Sequence, residues 1–399
     1  MSASSSVPVQ YGLLLSGRVA SALLQAATLV LFARFSDVIS FGVTMAFVGV
    51  TSLGVAIADL GMGSLVVREA ARKNFGLVLT SLRLNVLSQL SLILAIVVAL
   101  CFLGNSDMPI LYMLVPLGMS LAIEKYADVR LGIALADGSS GVVTIGLISR
   151  RLVTLVVLLS LIFLKIEPVL SYSIGALSGA IAAVAYAHKF VEVPRATLKP
   201  ARNVISASTP YWFNSMAAQL RNLDVTIVSF MSSATQAASY SVASRIVGPF
   251  QLFVTSAASI VLPTASRQKN HEKKRTFWII LGVSIIAGLC YTAVALTAYW
   301  WVPLLLGEAY SFAVLPVAIV TLGLIPMSYS EVAKATLQGW GSASQVAYVS
   351  VCTGIMLVLA ISLGSAINGA IGAAIAFSII FSAQSVAYAI LLLRASRES

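Results

Sequence analysis

The sequence predicts an all-α polytopic membrane protein, with twelve transmembrane helices in two six-helix bundles and both termini in the cytoplasm. Of its 399 residues, 59% are hydrophobic and only 10% are charged. A soluble domain carries about 25% charged residues, so this chain has too few charges to cover a water-facing surface. Apolar stretches of about 20 residues recur along it, and each is long enough to cross a hydrocarbon layer as a helix. We therefore expect lipid to be its main solvent.

The apolar stretches fall into two sets of six, separated by a polar connection that contains two prolines and several basic residues. The first set lies near residues 11–33, 40–60, 84–103, 109–123, 142–164 and 169–187. The second set lies near residues 207–231, 237–262, 278–302, 311–330, 345–363 and 369–393. This pattern predicts an N-terminal bundle over residues 1–190, a cytoplasmic linker over 191–205 and a C-terminal bundle over 206–399. For the fourth stretch there is an alternative, in which the helix continues past the charged residues at its end.

The positive charges decide the predicted orientation. Most of the 25 Lys and Arg residues fall in loops on one face, which is the cytoplasmic face under the positive-inside bias. The net charge of +11 is explained by this topology, and without a soluble basic domain we expect no nucleic-acid partner. Short loops on the other face leave no room for an enzymatic ectodomain. The predicted location is the bacterial cytoplasmic membrane, crossed many times.

Several kinds of catalytic and cofactor site are missing from the sequence. The three cysteines lie inside apolar runs, and both histidines, His188 and His271, lie in predicted cytoplasmic loops. There is no GxxxxGK[ST] motif, so no nucleotide-driven transport domain is expected. No cluster has the composition of a metal site. We predict a protein that is not an enzyme and that holds no metal or cofactor.

Charged residues inside the apolar stretches are the candidate site. A charge at bilayer depth costs roughly 2.5–3.5 kcal/mol on insertion scales, and such residues usually face a bundle interior or a cavity. The residues of this kind are Arg18, Asp59, Arg221, Asp224 and Arg245. Asp224 can pair with Arg221 on its own helix or with Arg245 across the hairpin. The structural alternative is a buried ion pair that only fixes helix packing, and for Arg18 a side chain that snorkels to the interface.

Arginine in such a cavity would favour an anion, because its planar fork binds phosphate oxygens and keeps its charge. Arg18, Arg221 and Arg245 are therefore predicted to bind a pyrophosphate. Arg150 and Arg151 either add to an entry site or serve only the positive-inside bias. A cytoplasmic mouth is expected at the remaining charges, which are Arg68, Arg72, Lys73, Glu331 and Lys334.

The stretch ADLGMGSLVVREAARKN, residues 58–74, combines an aspartate, two glycines and a basic end. No strand precedes it, so it is not a phosphate-binding glycine loop. Gly61 and Gly63 are expected to allow close packing or a bend where the second span leaves the bilayer. The first interpretation of Arg68, Arg72 and Lys73 is that they fix the topology, and the second is that they bind anionic lipid headgroups. Topology does not explain Asp59, and whether this aspartate titrates is the question that the segment leaves open.

The segment ADLGMGSLVVREAAR resembles the Asp-Leu-Gly…Arg-Glu-x-Ala pattern of Wzx-type polysaccharide and O-antigen flippases. These form a polysaccharide transporter family in the multidrug/oligosaccharidyl-lipid/polysaccharide exporter superfamily. Three further segments are similar and occur in the same order: LDVTIVSFMSSATQAASYSVASRI, LLGEAYSFAVLPVAIV and INGAIGAAIAFSI. The resemblance implies a MATE-like fold of two six-helix bundles. It also implies that Asp224 matches the aspartate of the family's seventh span and Arg245 the arginine of its eighth span. Arg18 and Asp59 would lie on segments that face the central cavity in this fold.

The resemblance implies a flippase. Its cargo would be an undecaprenyl-pyrophosphate-linked oligosaccharide, carried by alternating access between the leaflets for cell-surface polysaccharide biosynthesis. An H⁺ or Na⁺ gradient would drive the cycle, with Asp59 or Asp224 as the carrier. Expected partners are the lipid-linked oligosaccharide, membrane lipids, and polysaccharide polymerase and chain-length proteins. The alternatives are a multidrug or metabolite antiporter of the same superfamily and a membrane scaffold that transports nothing.

Overall fold

A computed structural model describes residues 7–104, 109–246, 251, 254, 258, 261, 273–340 and 342–397. Its regular structure in these ranges is helical, without a strand. The chain folds as two compact units, Met1–Asn222 and Leu223–Ser399. The all-α prediction is confirmed for the part described.

The first unit contains nine α-helices, each assigned within the described ranges. They are α1 (Val7–Phe35), α2 (Val38–Asp59), α3 (Met62–Ala71), α4 (Phe75–Gly104), α5 (Ile110–Met113), α6 (Val115–Ala136), α7 (Ser140–Phe163), α8 (Pro168–Phe190) and α9 (Ala201–Leu220). Helix α6 runs through its charged stretch without a break, so the continued-helix alternative for the fourth span is the correct one. Its neighbours α3, α4, α7 and α8 all contact it, which makes α6 the centre of this unit.

Local signals set several helix ends. The carboxylate of Asp37 accepts a hydrogen bond from the Ser40 amide at 2.9 Å and caps α2, and Glu167 caps α8 in the same way. Helix α2 ends where Leu60 and Gly61 both adopt left-handed backbone angles, with φ of 50° and 73°. The predicted bend in segment 58–74 is therefore present, and α3 leaves it in a new direction.

Helix α9 belongs to the first unit although the sequence assigns residues 206 onward to the second. It packs on α2, α3 and α4. A β-carbon on Gly61 would contact the backbone of Ser208 and Trp212, so only glycine allows this approach. The division between the units falls at Asn222 and Leu223 rather than in the predicted linker, because these contacts hold α9 on the first unit.

The second unit contains six further α-helices in the part of it that is described. They are α10 (Asp224–Met231), α11 (Ala234–Ser241), α12 (Lys273–Leu296), α13 (Ala298–Leu306), α14 (Val314–Gly339) and α15 (Ala343–Arg397). A 3₁₀ turn at Arg221–Leu223 precedes α10, and a π-helical turn at Val242–Ile246 follows α11. Much of the predicted eighth span lies outside the described residues.

Helix α15 is a hairpin of two arms. Asn368 and Gly369 are non-helical, and Gly369 has φ of 51°. The arms lie side by side, because the hydroxyls of Ser350 and Tyr388 share a hydrogen bond of 2.8 Å. Gln236 of α11 accepts a hydrogen bond from the Ala370 amide at 2.9 Å, which caps the second arm. The turn lies where the sequence separates its last two spans.

Eight helices among the described residues are long and apolar enough to cross a membrane, or nine if the bent pair Ser284–Leu296 and Ala298–Leu306 is one span. One of the eight covers both arms of α15. The chain is thus a multi-pass membrane protein. The count of twelve spans and the cytoplasmic termini stay predictions.

Candidate functional site

The best-defined polar site of the first unit lies where α2 ends against α4 and α6. Asp59 is the last residue of α2, and its side chain is only 2% exposed. Its Oδ2 atom lies 3.3 Å from the Nζ atom of Lys125 on α6, and its Oδ1 atom accepts a hydrogen bond of 3.1 Å from Asn85 on α4. Both carboxylate oxygens are therefore occupied by donors, which is what a buried charge requires.

Two buried carboxamides extend this site along α4. Asn85 and Gln89 are one turn apart, and both side chains are buried. The Oδ1 atom of Asn85 and both polar atoms of Gln89 have no hydrogen-bond partner in the structure. Buried amides of this kind normally bind ordered water or another polar ligand. The site beside Asp59 thus has unused hydrogen-bonding capacity.

A second charged cluster joins α6 to α7. The Nη1 atom of Arg150 lies 2.8 Å from Asp128, and its Nη2 atom lies 3.1 Å from Glu124. The Nη2 atom of Arg151 lies 2.8 Å from the same Oε1 atom of Glu124. From the sequence these two arginines are either part of an anion entry site or plain positive-inside residues. In the structure they are instead neutralised by carboxylates, because α6 continues far enough to bring Glu124 and Asp128 opposite α7.

The residues predicted to form a cytoplasmic mouth lie in both units, and those of the first unit lie on α3 and the turn after it. Glu69 is buried and lies 3.5 Å from Arg72, while Asn74 donates to it at 2.9 Å. Arg68 donates to the hydroxyl of Tyr211 on α9 at 2.9 Å. Lys73 is exposed, at the left-handed turn after α3. In the second unit Glu331 and Lys334 form an ion pair with each other, one turn apart on α14.

The remaining predicted site residues are only partly described. Arg18 is exposed on α1. Arg221 opens the 3₁₀ turn, and its side chain lies outside the described part. Asp224 is half-buried at the start of α10 and accepts a hydrogen bond of 2.7 Å from the Val225 amide. Arg245 lies in the π-helical turn, and its Nε and Nη2 atoms are buried without a hydrogen-bond partner. These two atoms thus have unused hydrogen-bonding capacity.

Sequence reasoning missed five polar residues of these clusters. Asn85 and Lys125 are the partners of Asp59, Glu124 and Asp128 are the partners of Arg150 and Arg151, and Gln89 lies one turn from Asn85. The sequence signal for Glu124, Lys125 and Asp128 is the run of charges at the end of the fourth apolar stretch, where the helix either ends or continues. Asn85 and Gln89 carry the weaker signal of two carboxamides four residues apart in an apolar helix. Among the described residues no group of three His, Cys, Asp or Glu side chains is placed to hold a metal ion.

A family model with the description "polysaccharide biosynthesis protein" matches residues 10–269. The chain belongs to the polysaccharide biosynthesis protein family. The match covers all of the first unit's charged site and reaches into the second unit. No curated protein matches this family member in sequence.

Solved structures show which fold this family member has. It is similar to an inward-facing multidrug resistance MATE transporter of the MOP superfamily, at TM-score 0.70 and 14% identity over 98% of this chain and 96% of that one. The lipid II flippase MurJ in an inward closed conformation matches at TM-score 0.73 and 13% identity, over 94% and 88%. A MOP superfamily transporter from Pyrococcus furiosus matches at TM-score 0.67 and 14% identity, over 97% and 95%. The polysaccharide biosynthesis protein thus has the MATE-like fold.

Proposed function

We propose that this protein is a flippase that moves a polyprenyl-pyrophosphate-linked oligosaccharide across the bacterial cytoplasmic membrane for cell-surface polysaccharide biosynthesis. The observation that carries the proposal is the family match over residues 10–269. The fold shared with MATE transporters and MurJ supports transport by alternating access. Arg18, Arg221 and Arg245 are the proposed cations for the pyrophosphate, whereas Arg150 and Arg151 hold the first unit together.

The ion pair between Asp59 and Lys125 is the proposed coupling element. Asp59 is buried, and a buried carboxylate stays charged only beside a compensating cation or strong donors. The side chain of Lys125 is 27% exposed, and its ammonium is a compact charge on a flexible stem. Lys125 can therefore leave Asp59 when a proton or a Na⁺ ion replaces it there.

The released Lys125 is the proposed contact to the anionic cargo. While the pair is closed the two charges cancel, so neither attracts a phosphate. When a cation from the gradient takes the place of Lys125, its ammonium becomes available to the pyrophosphate. Arg150 does not have this freedom, because two carboxylates hold its guanidinium. Coupling and cargo binding would thus compete for one lysine.

The test uses cells that lack their own flippase for a surface polysaccharide and measures the glycan on the cell surface. We expect Asp59→Asn and Lys125→Met each to reduce export by about tenfold or more, because each removes one partner of the proposed coupling pair. Lys125→Met also leaves the buried carboxylate of Asp59 without its cation. The matched controls are Asp137→Asn and Lys165→Met, which change exposed residues of the same types.

Protein amounts in the membrane are compared in every strain, so that loss of export is separated from loss of the protein. Normal glycan export by both Asp59→Asn and Lys125→Met would refute the coupling proposal. The flippase proposal itself fails if the wild-type chain restores no surface glycan. Resistance to cationic drugs in that case would favour the multidrug antiporter alternative.

A further inference from the structure

The turn between α3 and α4 and the non-helical segment 191–200 form one exposed basic surface. We name this surface the basic platform and define it by Arg72, Lys73, Arg195, Leu198 and Lys199. The side chain of Lys199 lies over the start of α4, where its Cγ and Cε atoms are 3.3 and 3.5 Å from the position of a β-carbon on Gly76. Gly76 follows Lys73 by three residues, so the two basic segments adjoin.

The segment 191–200 is held in place at both ends. The hydroxyl of Thr80 on α4 donates to the Lys199 carbonyl at 3.1 Å and accepts from the Lys199 amide at 3.0 Å. At the other end Val191 is buried, and its carbonyl accepts a hydrogen bond of 3.0 Å from Arg130 on α6. The segment is therefore an ordered part of the first unit and not a loose linker.

The platform presents both charge and apolar surface. The side chain of Arg72 is 58% exposed despite its contact with Glu69, and Lys73, Arg195 and Lys199 are also exposed. Leu198 is 46% exposed between the basic residues. An apolar side chain surrounded by Lys and Arg is the pattern of a segment that rests on a lipid interface.

The ends of two candidate spans fix the level of the platform in the membrane. Segment 191–200 begins directly after the span Pro168–Phe190, and the span Phe75–Phe102 begins directly after Lys73 and Asn74. Basic residues at such a boundary lie within reach of headgroups, and each contributes about 1 kcal/mol beside an anionic leaflet. The positive-inside bias accounts for the number of charges but not for the anchored backbone or for Leu198.

We propose that the basic platform binds the headgroups of anionic phospholipids in the leaflet next to it. Arg195, Lys199, Arg72 and Lys73 contact the headgroup phosphates, and Leu198 enters the upper acyl region. Bound lipid then stabilises the first unit, because segment 191–200 is fastened to both α4 and α6. The proposal requires only that the chain spans a membrane, so it stands or falls separately from the flippase function.

The test places the full chain in nanodiscs of phosphatidylcholine, with and without added phosphatidylglycerol, and measures the temperature of unfolding. We expect phosphatidylglycerol to raise this temperature for the wild type, and high salt to remove the rise because it screens exposed charges. Arg195→Gln with Lys199→Gln should abolish most of the rise, and so should Arg72→Gln with Lys73→Gln. The control Arg394→Gln with Arg397→Gln removes two charges elsewhere on the same predicted face and should keep it.

Two results would overturn the proposal. One is that phosphatidylglycerol raises the unfolding temperature of both platform variants as much as that of the wild type. The other is that the control variant loses this rise to the same extent, which would mean that any cytoplasmic charge has the effect. The discs contain no glycan lipid, so neither result bears on cargo transport.

Discussion

The guanidinium of Arg150 lies between Glu124 and Asp128, so little of its charge is left for an anionic ligand. Its side chain is almost fully buried, whereas that of Asp128 is 42% exposed. Removing one partner of a buried ion pair is more harmful than removing both, because the survivor keeps an uncompensated charge. The role of Arg150 is for this reason to stabilise the packing of α7 on α6.

We predict that Arg150→Gln lowers the free energy of unfolding by about 1–3 kcal/mol, since Glu124 keeps only Arg151 as a cationic partner and Asp128 loses its partner. Arg151→Gln should cost less, because Arg151 is more exposed than Arg150. The measurement is thermal unfolding in detergent, followed by circular dichroism. Adding Glu124→Gln to Arg150→Gln should recover part of the loss, and a double variant worse than the sum of the singles would contradict the pairing.

Individual charged residues were recognisable from the sequence, but their partners were not. Asp59 stood out because a lone aspartate in an apolar run has no topological reason to be there. Lys125 did not stand out, since nothing in the sequence shows whether α6 ends before this residue or continues past it. The contact between them joins residues 66 positions apart, and only the packing of α2 against α6 creates it.

At the level of single elements, α9 packs against the bend that ends α2. Trp212 donates from its indole nitrogen to the carbonyl of Ile57 at 3.1 Å, and Arg68 reaches Tyr211 from the other side of the bend. The bend itself depends on Gly61, whose φ of 73° is unfavourable for residues with a β-carbon.

We predict that Gly61→Ala destabilises the protein by several kcal/mol, because the new methyl group meets both strain and the backbone of α9. Gly354→Ala is the matched control, since a β-carbon there meets no atom within 4 Å. That substitution should be neutral or stabilising, as alanine is a better helix former. Both are measured as unfolding temperatures in the same detergent. Equal temperatures for the two variants would show that α9 does not depend on the bend.

The cap of α2 gives a second prediction for a single element. Burial raises the pKa of the Asp37 carboxyl, but hydrogen bonds from Ser40 and from the amide of Ile39 outweigh this and hold the pKa below its ordinary value. The charged form is thus favoured by folding, and its contribution is complete above the unfolded pKa and is lost as the pH falls through the folded one.

We expect Asp37→Ala to cost about 1 kcal/mol at neutral pH and Asp37→Ser, which keeps a cap, to cost less. The difference in unfolding free energy between wild type and Asp37→Ala should shrink once the pH falls below about 4. Chemical unfolding at a series of pH values measures it. A difference that grows in acid would contradict the sign of the pKa change.

At the scale of the whole molecule, the orientation in the membrane is open to a direct test. We predict that a membrane-impermeant maleimide labels a cysteine at Lys165 from outside intact cells, and labels one at Lys73 only after the membrane is permeabilised. The native residues Cys101, Cys290 and Cys352 are first replaced by serine. Labelling of both positions from outside would refute the predicted topology.

The membrane class and the all-helical fold were predictable because composition and apolar length depend on the solvent and not on tertiary contacts. The hairpin turn at Asn368 and Gly369 was also visible as a gap between two apolar runs. The division between the units was not, because the polar segment 191–205 resembles a linker. The side chains of Thr80 and Arg130 donate hydrogen bonds to backbone carbonyls of this segment. These residues are far apart in the sequence, so no local sequence pattern predicts the contacts.

The charged centre of α6 also bears on how the chain enters the bilayer during synthesis. Among the candidate spans described, the one that contains α6 includes Glu124, Lys125 and Asp128, and each charge at depth costs roughly 2.5–3.5 kcal/mol without a partner. Asp59 has already been made when α6 leaves the ribosome, but Arg150 and Arg151 have not. Helix α6 is therefore expected to wait at the translocon until α7 follows, so that Glu124 and Asp128 enter the lipid opposite Arg150 and Arg151.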